Sequence, residues 1–322
     1  MKTRRALYLA IALVILFVAV ALAWRSWPRR PAAVEYPMTV ATDIPTAIAV
    51  APDGSVWFTI DFGEGVGLVR EGSVQRLPKK GRNVEPIGLA VDSSGAAWFT
   101  DPSAIAVLRM TPAGEVQSFP LGTPIARLAR LAVAPDGAIW FAESTNYSIT
   151  RLKDGVLQRH DIQSVRGGPY GVTVAADGSV WATLQSANQL MRIAPSGEIT
   201  QYDLPTPGAS PTDVAVDPKG GVWVIEFRGN KVAHFADGKF SEYPLPDGKA
   251  APSGIAVAPD GAVWFGMLRG GGLGRLRDGR IELFPLPREN ARPYTLAAAA
   301  NGDIWYADIS GFVGMIPAAA AR

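Results

Sequence analysis

The chain has 322 residues, of which 48% are hydrophobic and 19% are charged, a composition that supports a large folded core and excludes a disordered polymer. Its 34 glycines and 26 prolines favour a turn-rich, strand-rich architecture over a helical bundle. The absence of cysteine excludes disulfides, thiolate metal sites, iron–sulfur clusters and a cysteine nucleophile.

The basic residues are concentrated at the N-terminus. Six of the 31 Lys and Arg residues precede the first acidic residue, Glu35, so the rest of the chain carries 25 basic and 29 acidic residues. No run of basic residues occurs in this slightly acidic part, and a nucleic-acid-binding protein would need one. We therefore expect no nucleic acid among the partners.

Residues 6–24 form an apolar segment of nineteen residues without a charge, proline or glycine. As a helix this segment would span a bilayer, and Tyr8 and Trp24 would suit its two interfaces. We predict that residues 1–30 form a single-pass anchor to the cell membrane, with the rest of the chain exported to the periplasm or the cell exterior. The alternative is a signal peptide cleaved after Ala23, which would release a secreted protein.

Tryptophan recurs with a fixed period, and this is the dominant signal in the chain. Around each copy, a short apolar strand, an Asp-Gly type of turn and a second strand carrying the tryptophan follow one another, and two further short strands complete the repeat. The seven copies are 41 or 42 residues apart: Trp57, Trp98, Trp140, Trp181, Trp223, Trp264 and Trp305. Four strands per repeat are typical of one propeller blade, so the sequence predicts an all-β, seven-bladed β-propeller over residues 31–322.

The last repeat lacks its outermost strand. It runs from Pro293 to about Pro317 and contains only three predicted strands. Residues 34–38 (Val-Glu-Tyr-Pro-Met) resemble the fourth strands at residues 241–245 and 200–204. We predict that residues 34–38 complete the last blade, because an open ring would leave an unpaired strand edge.

The repeat phrase has a recognisable form. It reads Pro-x-Gly-Ile, then Asp-Gly-x-Val-Trp-Phe-Thr-Asp/Glu, then Arg-Ile-x-Pro-x-Gly-Glu-Ile-x-x-Tyr-x-Leu-Pro, and it extends from about residue 34 to residue 317. This phrase resembles the virginiamycin B lyase (streptogramin lyase) type of propeller. The resemblance implies opening of a cyclic depsipeptide by elimination, with Mg²⁺ and a catalytic histidine in a Pro-His-Gly loop at the mouth of the central channel.

None of the loops that correspond to this Pro-His-Gly loop contains histidine. Their positions hold Thr46, Ile87, Ala129, Tyr170, Thr212, Ser253 and Tyr294. The two histidines, His160 and His234, fall in predicted fourth and third strands instead. Without a positioned imidazole, abstraction of a proton would need a carboxylate or a tyrosine with a shifted pKa. We therefore assign no catalytic residue from the sequence.

Two sets of loops should meet around the channel mouth, and both vary in sequence. The loops that lead into the first strands supply the candidate ligand-binding residues Glu85, Arg130, Tyr170, Asp213 and Tyr294. Four blades carry an acid three residues after the tryptophan: Asp101, Glu143, Glu226 and Asp308. Converging carboxylates would favour Mg²⁺ or Ca²⁺, so these four acids are the candidate metal ligands, and we expect no organic cofactor.

The sequence favours a monomeric propeller that binds a small molecule, a peptide or a protein partner at an acidic channel mouth. Two enzymatic alternatives stay open. One is an active lyase that opens a cyclic depsipeptide or lactone with Mg²⁺, and the other is a metal-dependent lactonase similar to the gluconolactonase propellers.

Overall fold

The computed structural model describes residues 33–79, 81–162 and 168–320, which form 28 β-strands in seven antiparallel sheets of four strands each. One compact unit begins at Ala33. In the described residues no helix is long and apolar enough to cross a membrane. The predicted anchor at residues 6–24 and the alternative cleavage site after Ala23 lie outside the described residues.

The first four blades each contain four consecutive strands, after a single N-terminal strand, β1 (Val34–Pro37). Blade 1 contains β2 (Ile44–Val50), β3 (Val56–Asp61), β4 (Gly65–Arg70) and β5 (Ser73–Pro78); blade 2 contains β6 (Leu89–Val91), β7 (Ala97–Asp101), β8 (Ala106–Met110) and β9 (Val116–Pro120); blade 3 contains β10 (Leu128–Val133), β11 (Ile139–Glu143), β12 (Ser148–Lys153) and β13 (Val156–Asp161); and blade 4 contains β14 (Pro169–Val174), β15 (Val180–Leu184), β16 (Gln189–Ile193) and β17 (Ile199–Asp203).

The last three blades follow the same order, except that blade 7 takes its fourth strand from the N-terminal end. Blade 5 contains β18 (Pro211–Val216), β19 (Val222–Glu226), β20 (Lys231–Ala236) and β21 (Lys239–Pro244); blade 6 contains β22 (Pro252–Val257), β23 (Val263–Met267), β24 (Gly272–Arg277) and β25 (Arg280–Pro285); and blade 7 contains β26 (Pro293–Ala298), β27 (Ile304–Asp308) and β28 (Phe312–Ile316), with β1 at its outer edge. The predicted seven-bladed, four-stranded architecture is confirmed.

The ring closes through β1, which pairs antiparallel with β28 from Val34↔Met315 to Pro37↔Phe312. The prediction that residues 34–38 complete the last blade is therefore confirmed. The tyrosine ring of this strand, Tyr36, stacks on the blade tryptophan Trp305 with 5.8 Å between ring centroids. Both ends of the propeller domain are thus held in one sheet.

Polar contacts reinforce this closure at Glu35 of β1. Its carboxylate accepts hydrogen bonds from Arg288 Nε at 2.9 Å and from the Tyr306 hydroxyl at 2.9 Å. The same guanidinium donates to the buried Asp308 carboxylate at 2.7 Å. Arg288 therefore bridges an acid of the N-terminal strand and an acid of the C-terminal repeat.

The core lies between neighbouring blades, because each sheet packs on the preceding blade with one face and on the following blade with the other. One apolar cluster, for example, packs Trp264 and Leu273 of blade 6 against Leu296 and Tyr306 of blade 7. Equivalent residues of successive blades are therefore 41 or 42 residues apart in the sequence. This stacking explains why one tryptophan per blade recurs, buried in five blades and half-buried at Trp98 and Trp223.

Replacing Glu35 with alanine should destabilise the whole domain. The change leaves Arg288 with one carboxylate instead of two and the buried Tyr306 hydroxyl without its acceptor, so we expect a loss of about 3 kcal/mol in the free energy of unfolding. Urea titration followed by tryptophan fluorescence measures it. The exposed Glu198→Ala change serves as the control and should stay within about 0.5 kcal/mol of the unchanged chain. Equal midpoints for Glu35→Ala and the unchanged chain would contradict this account of closure.

Candidate functional site

The mouth face is the end of the propeller at which each first strand begins and each second strand ends, as the pairs Pro211↔Glu226 and Pro293↔Asp308 show. First strands start irregularly at this face. The register shifts between Pro169 and Val172 in blade 4 and between Pro293 and Thr295 in blade 7. An irregularity of this kind re-aims a side chain out of the regular alternation, and Tyr170 and Tyr294 lie inside these two segments.

Tyr170 and Tyr294 meet across the mouth, although they come from blades 4 and 7. Their hydroxyl groups are hydrogen-bonded at 2.8 Å. Burial, together with the neighbouring Tyr294, raises the pKa of Tyr170 far above its usual value. This side chain therefore stays a neutral hydroxyl that donates and accepts hydrogen bonds, and it is a poor base for proton abstraction.

Arg130 lies beside this tyrosine pair. Its guanidinium is 5.7 Å from the centre of the Tyr294 ring and 3.5 Å from the Asp213 carboxylate. Asp213 also accepts a hydrogen bond from the backbone N–H of Ile255 at 3.1 Å. Burial acts to lower the pKa of Arg130, but Asp213, Tyr294 and Tyr170 together outweigh it and raise that pKa, so the residue keeps its charge. The inner wall of the mouth therefore consists of the Arg130–Asp213 ion pair, which has no net charge, and the Tyr294 ring over which Arg130 lies.

A cavity of about 420 Å³ opens above the tyrosine pair, and we call it the mouth pocket. Its apolar wall consists of Ile44, Ile87 and Ile309, and its polar wall consists of Thr46, Asp61, Glu85, Arg127 and Arg292 together with both tyrosines. Glu85 pairs with Arg127 at 3.2 Å. The structure therefore brings together all five residues that the sequence suggested for ligand binding, in two connected layers: Arg130 with Asp213 beside the tyrosines, and Glu85 in the pocket wall.

Two arginines of the mouth pocket, Arg127 and Arg292, were missed by the sequence reasoning. Each comes directly before a first strand, β10 or β26, so the same loop positions could have identified them. Arg292 donates its backbone N–H to Asp308, and within the described part of the chain its guanidinium has no ion-pair partner. The pocket lining is therefore balanced in charge, with Asp61 and Glu85 against Arg127 and Arg292, and not acidic as the sequence suggested. Among the described residues, Arg292 is the cation of this lining that no acid pairs with.

The four acids that follow the blade tryptophans are buried, but the structure does not bring them together. Three of them have cationic partners near their own blade: Asp101 with Lys79 at 2.7 Å, Glu143 with Arg159 at 3.3 Å, and Asp308 with Arg288 at 2.7 Å. Glu143 also accepts a hydrogen bond from Asn146 at 2.8 Å. These three carboxylates therefore form ion pairs that stabilise the fold near their own blades.

These residues do not fit a shared metal site. Among residues 33–79, 81–162 and 168–320 there is no group of three or more His, Asp or Glu side chains placed to hold a metal ion. The three acids of the mouth pocket and its inner wall are also engaged, since Asp61 accepts two backbone N–H groups while Glu85 and Asp213 pair with arginines. We therefore derive no step that passes through Mg²⁺ or Ca²⁺.

Glu226 differs from the other three acids because, among the described residues, it forms no salt bridge with a cation. It is fully buried, and its carboxylate oxygens accept no hydrogen bond from the described donors. Burial, aided by the nearby Glu242 carboxylate, raises the pKa of Glu226 to about 7. Burial also acts to raise the pKa of Glu242, but hydrogen bonds from Lys231 and Thr206 hold it below its usual value. The proton of this pair therefore resides on Glu226.

Neither histidine lies in the mouth pocket. His160 packs at a tilt against Trp140 at 5.2 Å and His234 stacks on Trp223 at 4.0 Å, both in grooves between blades. Burial lowers the pKa of both imidazoles. They act as packing groups for the tryptophans.

The Glu226→Gln change should make stability less dependent on pH. The pKa of Glu226 is about 7 in the folded state and 4.5 ordinarily, so the protonated carboxyl contributes fully to the free energy of unfolding below pH 4.5. On the order of 3 kcal/mol of that free energy is lost as the pH rises to about 7. The variant escapes this loss, so its melting temperature relative to the unchanged chain should rise between pH 5 and pH 8. Glu143→Gln, at the equivalent position but paired with Arg159, should show no such gain. A constant difference for Glu226→Gln across this range would disprove the assignment.

Comparisons with known proteins agree with this architecture. The chain is 34% identical over 191 residues to virginiamycin B lyase of Nocardia farcinica, and this alignment covers 59% of the chain and 65% of that relative. The chain thus matches slightly less than two thirds of the relative's length. It is also 45% identical over 51 residues to virginiamycin B lyase of Staphylococcus aureus, which is 16% of the chain and 17% of that protein.

Solved structures match over more of the chain. A catalytically inactive histidine-to-alanine variant of virginiamycin B lyase from Staphylococcus aureus, solved with quinupristin, superposes with a TM-score of 0.83 at 25% identity, over 88% of this chain and 98% of that one. A streptogramin B lyase structure gives a TM-score of 0.84 at 26% identity, over 88% and 96%. The model of the virginiamycin B lyase family matches residues 30–152 and 107–321. The chain therefore belongs to the virginiamycin B lyase family.

Proposed function

We propose that this chain is a binding propeller that takes a peptide-like ligand in the mouth pocket and does not open the ligand by elimination. The observation that carries the proposal is the hydrogen-bonded pair of Tyr170 and Tyr294. These residues occupy positions at which the family resemblance places the catalytic histidine loop. The Tyr170 hydroxyl, whose pKa is raised by burial, can bind a ligand, but it cannot readily remove a proton from carbon.

The walls of the mouth pocket suit a ligand of mixed character. Three isoleucines and two tyrosine rings provide apolar surface, and Arg292 provides a cation without an acidic partner among the described residues. A peptide-like molecule with apolar side chains and a carbonyl or carboxylate group would satisfy both walls. The structure of the relative from Staphylococcus aureus supports this choice. That protein is a catalytically inactive variant that lacks one histidine, and it was solved together with quinupristin.

We also propose that the propeller works outside the cytoplasm, anchored through residues 6–24. The support for this proposal is the apolar composition of that segment and the basic residues on either side of it. No catalysis, metal ion or organic cofactor is needed for the proposed role, because recognition rests on the side chains of the mouth pocket alone.

Quinupristin is the probe for the binding test, with isothermal titration of the full chain as the measurement. We expect binding that weakens about tenfold in Arg292→Gln, since loss of a hydrogen bond to a charged group costs about 1.5 kcal/mol or more. Tyr294→Phe, which removes one hydroxyl of the pair, should weaken binding by a smaller factor. Arg277→Gln, which changes an arginine that pairs with Asp260 at the other end of blade 6, is the matched control and should bind as the unchanged chain does.

Turnover is tested in the same samples. Elimination would leave the mass of the ligand unchanged, so chromatography must separate the cyclic form from the linear one. We expect the cyclic form to persist, with or without added Mg²⁺. Loss of the cyclic form at a rate that depends on enzyme concentration would reject the binding-only function, and absence of binding would reject the proposed function as a whole.

A further inference from the structure

Three neighbouring blades present apolar side chains to solvent beside the mouth pocket. Phe62 and Tyr147 are 50% and 42% exposed in the loops after the second strands of blades 1 and 3. Val84 and Ile125 are 43% and 67% exposed in the loops that lead into blades 2 and 3. We call these four residues the apolar rim. All four loops lie on the mouth face, because they follow second or fourth strands.

Hydrogen bonds tie the loops of the apolar rim to one another. Asp61, beside Phe62, accepts the backbone N–H of Glu85 at 2.9 Å, and Glu85 pairs with Arg127 at 3.2 Å. The backbone N–H of Arg127 in turn donates a hydrogen bond to the Thr145 hydroxyl at 3.1 Å. The rim is therefore one continuous surface. Since Asp61, Glu85 and Arg127 also line the mouth pocket, this surface continues directly into the pocket.

The backbone of the rim is strained where its aromatic side chains project. Phe62 and Tyr147 have φ angles of 58° and 50°, in the left-handed region that bulky residues avoid. At the position of Tyr147, seven residues after the blade tryptophan, blades 4, 5 and 6 have Asn188, Asn230 and Gly271, also with positive φ. Blade 2 has Ile105 there, again with positive φ, but this side chain is partly buried and packs against an inter-blade apolar cluster. Asparagine and glycine adopt this conformation at low cost, so blades 4 to 6 fit the turn better than blade 3 does.

Packing does not account for the aromatic residue at position 147, because the side chain is 42% exposed. Strain at an exposed residue that burial does not offset points to a role in contact with another molecule. The same reasoning applies to Phe62, which is 50% exposed and whose ring lies 5.4 Å from the Arg82 guanidinium. The rim thus combines two aromatic and two aliphatic tips with arginines, a composition typical of protein interfaces.

We propose that the apolar rim binds the apolar side chains of an extended peptide whose polar end enters the mouth pocket. This inference rests on the proposed function, because it assigns the pocket and the rim to one ligand. A peptide fits better than a membrane surface, since the exposed Glu85 and Arg127 side chains pair with each other and leave no net positive charge there to attract anionic lipid headgroups. The exposed Glu85 and Arg127 side chains offer an acceptor and a donor to the peptide backbone.

A displayed library of random dodecapeptides, selected against the full chain, tests this inference. We expect the selected peptides to be rich in Leu, Phe and Trp. A synthetic, fluorescent copy of the most enriched peptide should bind at least about tenfold more weakly to the double variant Ile125→Ser, Tyr147→Asn. The matched control is Val156→Ser, which removes an equally exposed apolar side chain from the outermost strand of blade 3 and should leave the affinity unchanged.

Tyr147→Asn alone provides a readout that a merely structural role would not give. It should raise the melting temperature by about 2 °C, because asparagine relieves the left-handed strain, while it weakens peptide binding. A lower melting temperature would show that Tyr147 stabilises the fold, and it would overturn the argument from strain.

The remaining outcomes separate this inference from the proposed function. If the double variant Ile125→Ser, Tyr147→Asn binds the peptide as the unchanged chain does and Arg292→Gln binds it more weakly, the rim inference fails. The proposed binding in the mouth pocket is then supported. If neither variant affects binding, both fail. The rim inference is also overturned if no peptide is enriched, if the rim variant abolishes binding to phosphatidylcholine–phosphatidylglycerol vesicles, or if it abolishes a dimer detected by light scattering.

Discussion

Closure of the ring is the constraint on which the rest of the structure depends. Each blade exposes two apolar faces, so no blade is stable until the last one has covered the first. The pairing of β1 with β28 meets this requirement with only four residues, Val34–Pro37. The bridge from Glu35 through Arg288 to Asp308 adds charge pairing at the same seam. Because every blade then has two neighbours, the loops at the mouth face can vary without exposing the core.

Equivalent positions show how local charge is balanced within this fixed frame. One position on the fourth strand is the one that pairs with the third residue of the third strand. It is occupied by Arg159 in blade 3, by Glu242 in blade 5 and by Glu35 in blade 7. In blade 3 this position supplies the cation for Glu143. In the other two blades it supplies a second carboxylate. Blade 7 resolves the resulting repulsion with Arg288.

Blade 5 has no arginine for this purpose. The residue two positions after the leucine that follows the fourth strand is Arg288 before blade 7 but Thr206 before blade 5. Thr206 and Lys231 both bond to Glu242, and Glu226 has no salt-bridge partner among the described residues. Protonation of Glu226 takes the place of the missing cation. A single acid at a repeated position can thus be an ion pair in one blade and a neutral group in another.

The sequence predicts what repeats, and it predicts much less of what is specific to one blade. The spacing of the tryptophans and the missing fourth strand of the last repeat were enough to predict seven blades and the closing role of residues 34–38. The positions of Tyr170 and Tyr294 followed from the same register. The partners of the buried acids did not, because Lys79 and Arg288 belong to connections before the blades that they stabilise and show no fixed spacing from Asp101 and Asp308.

The stacking of blades also explains how strain can persist at the mouth. A bulky residue at positive φ costs roughly 1–2 kcal/mol, which a small domain could ill tolerate. Here that cost falls on loops whose flanking strands, such as β11 and β12, are held by full ladders and by inter-blade packing. The loop of blade 3 can therefore keep Tyr147 where blades 4 and 5 keep asparagine. A rigid, repetitive frame allows each loop to depart from the conformationally favoured residue. Where the departing side chain is packed, as Ile105 of blade 2 is, packing accounts for it; where it is exposed, as Tyr147 is, the departure indicates that the blade differs in role from the others.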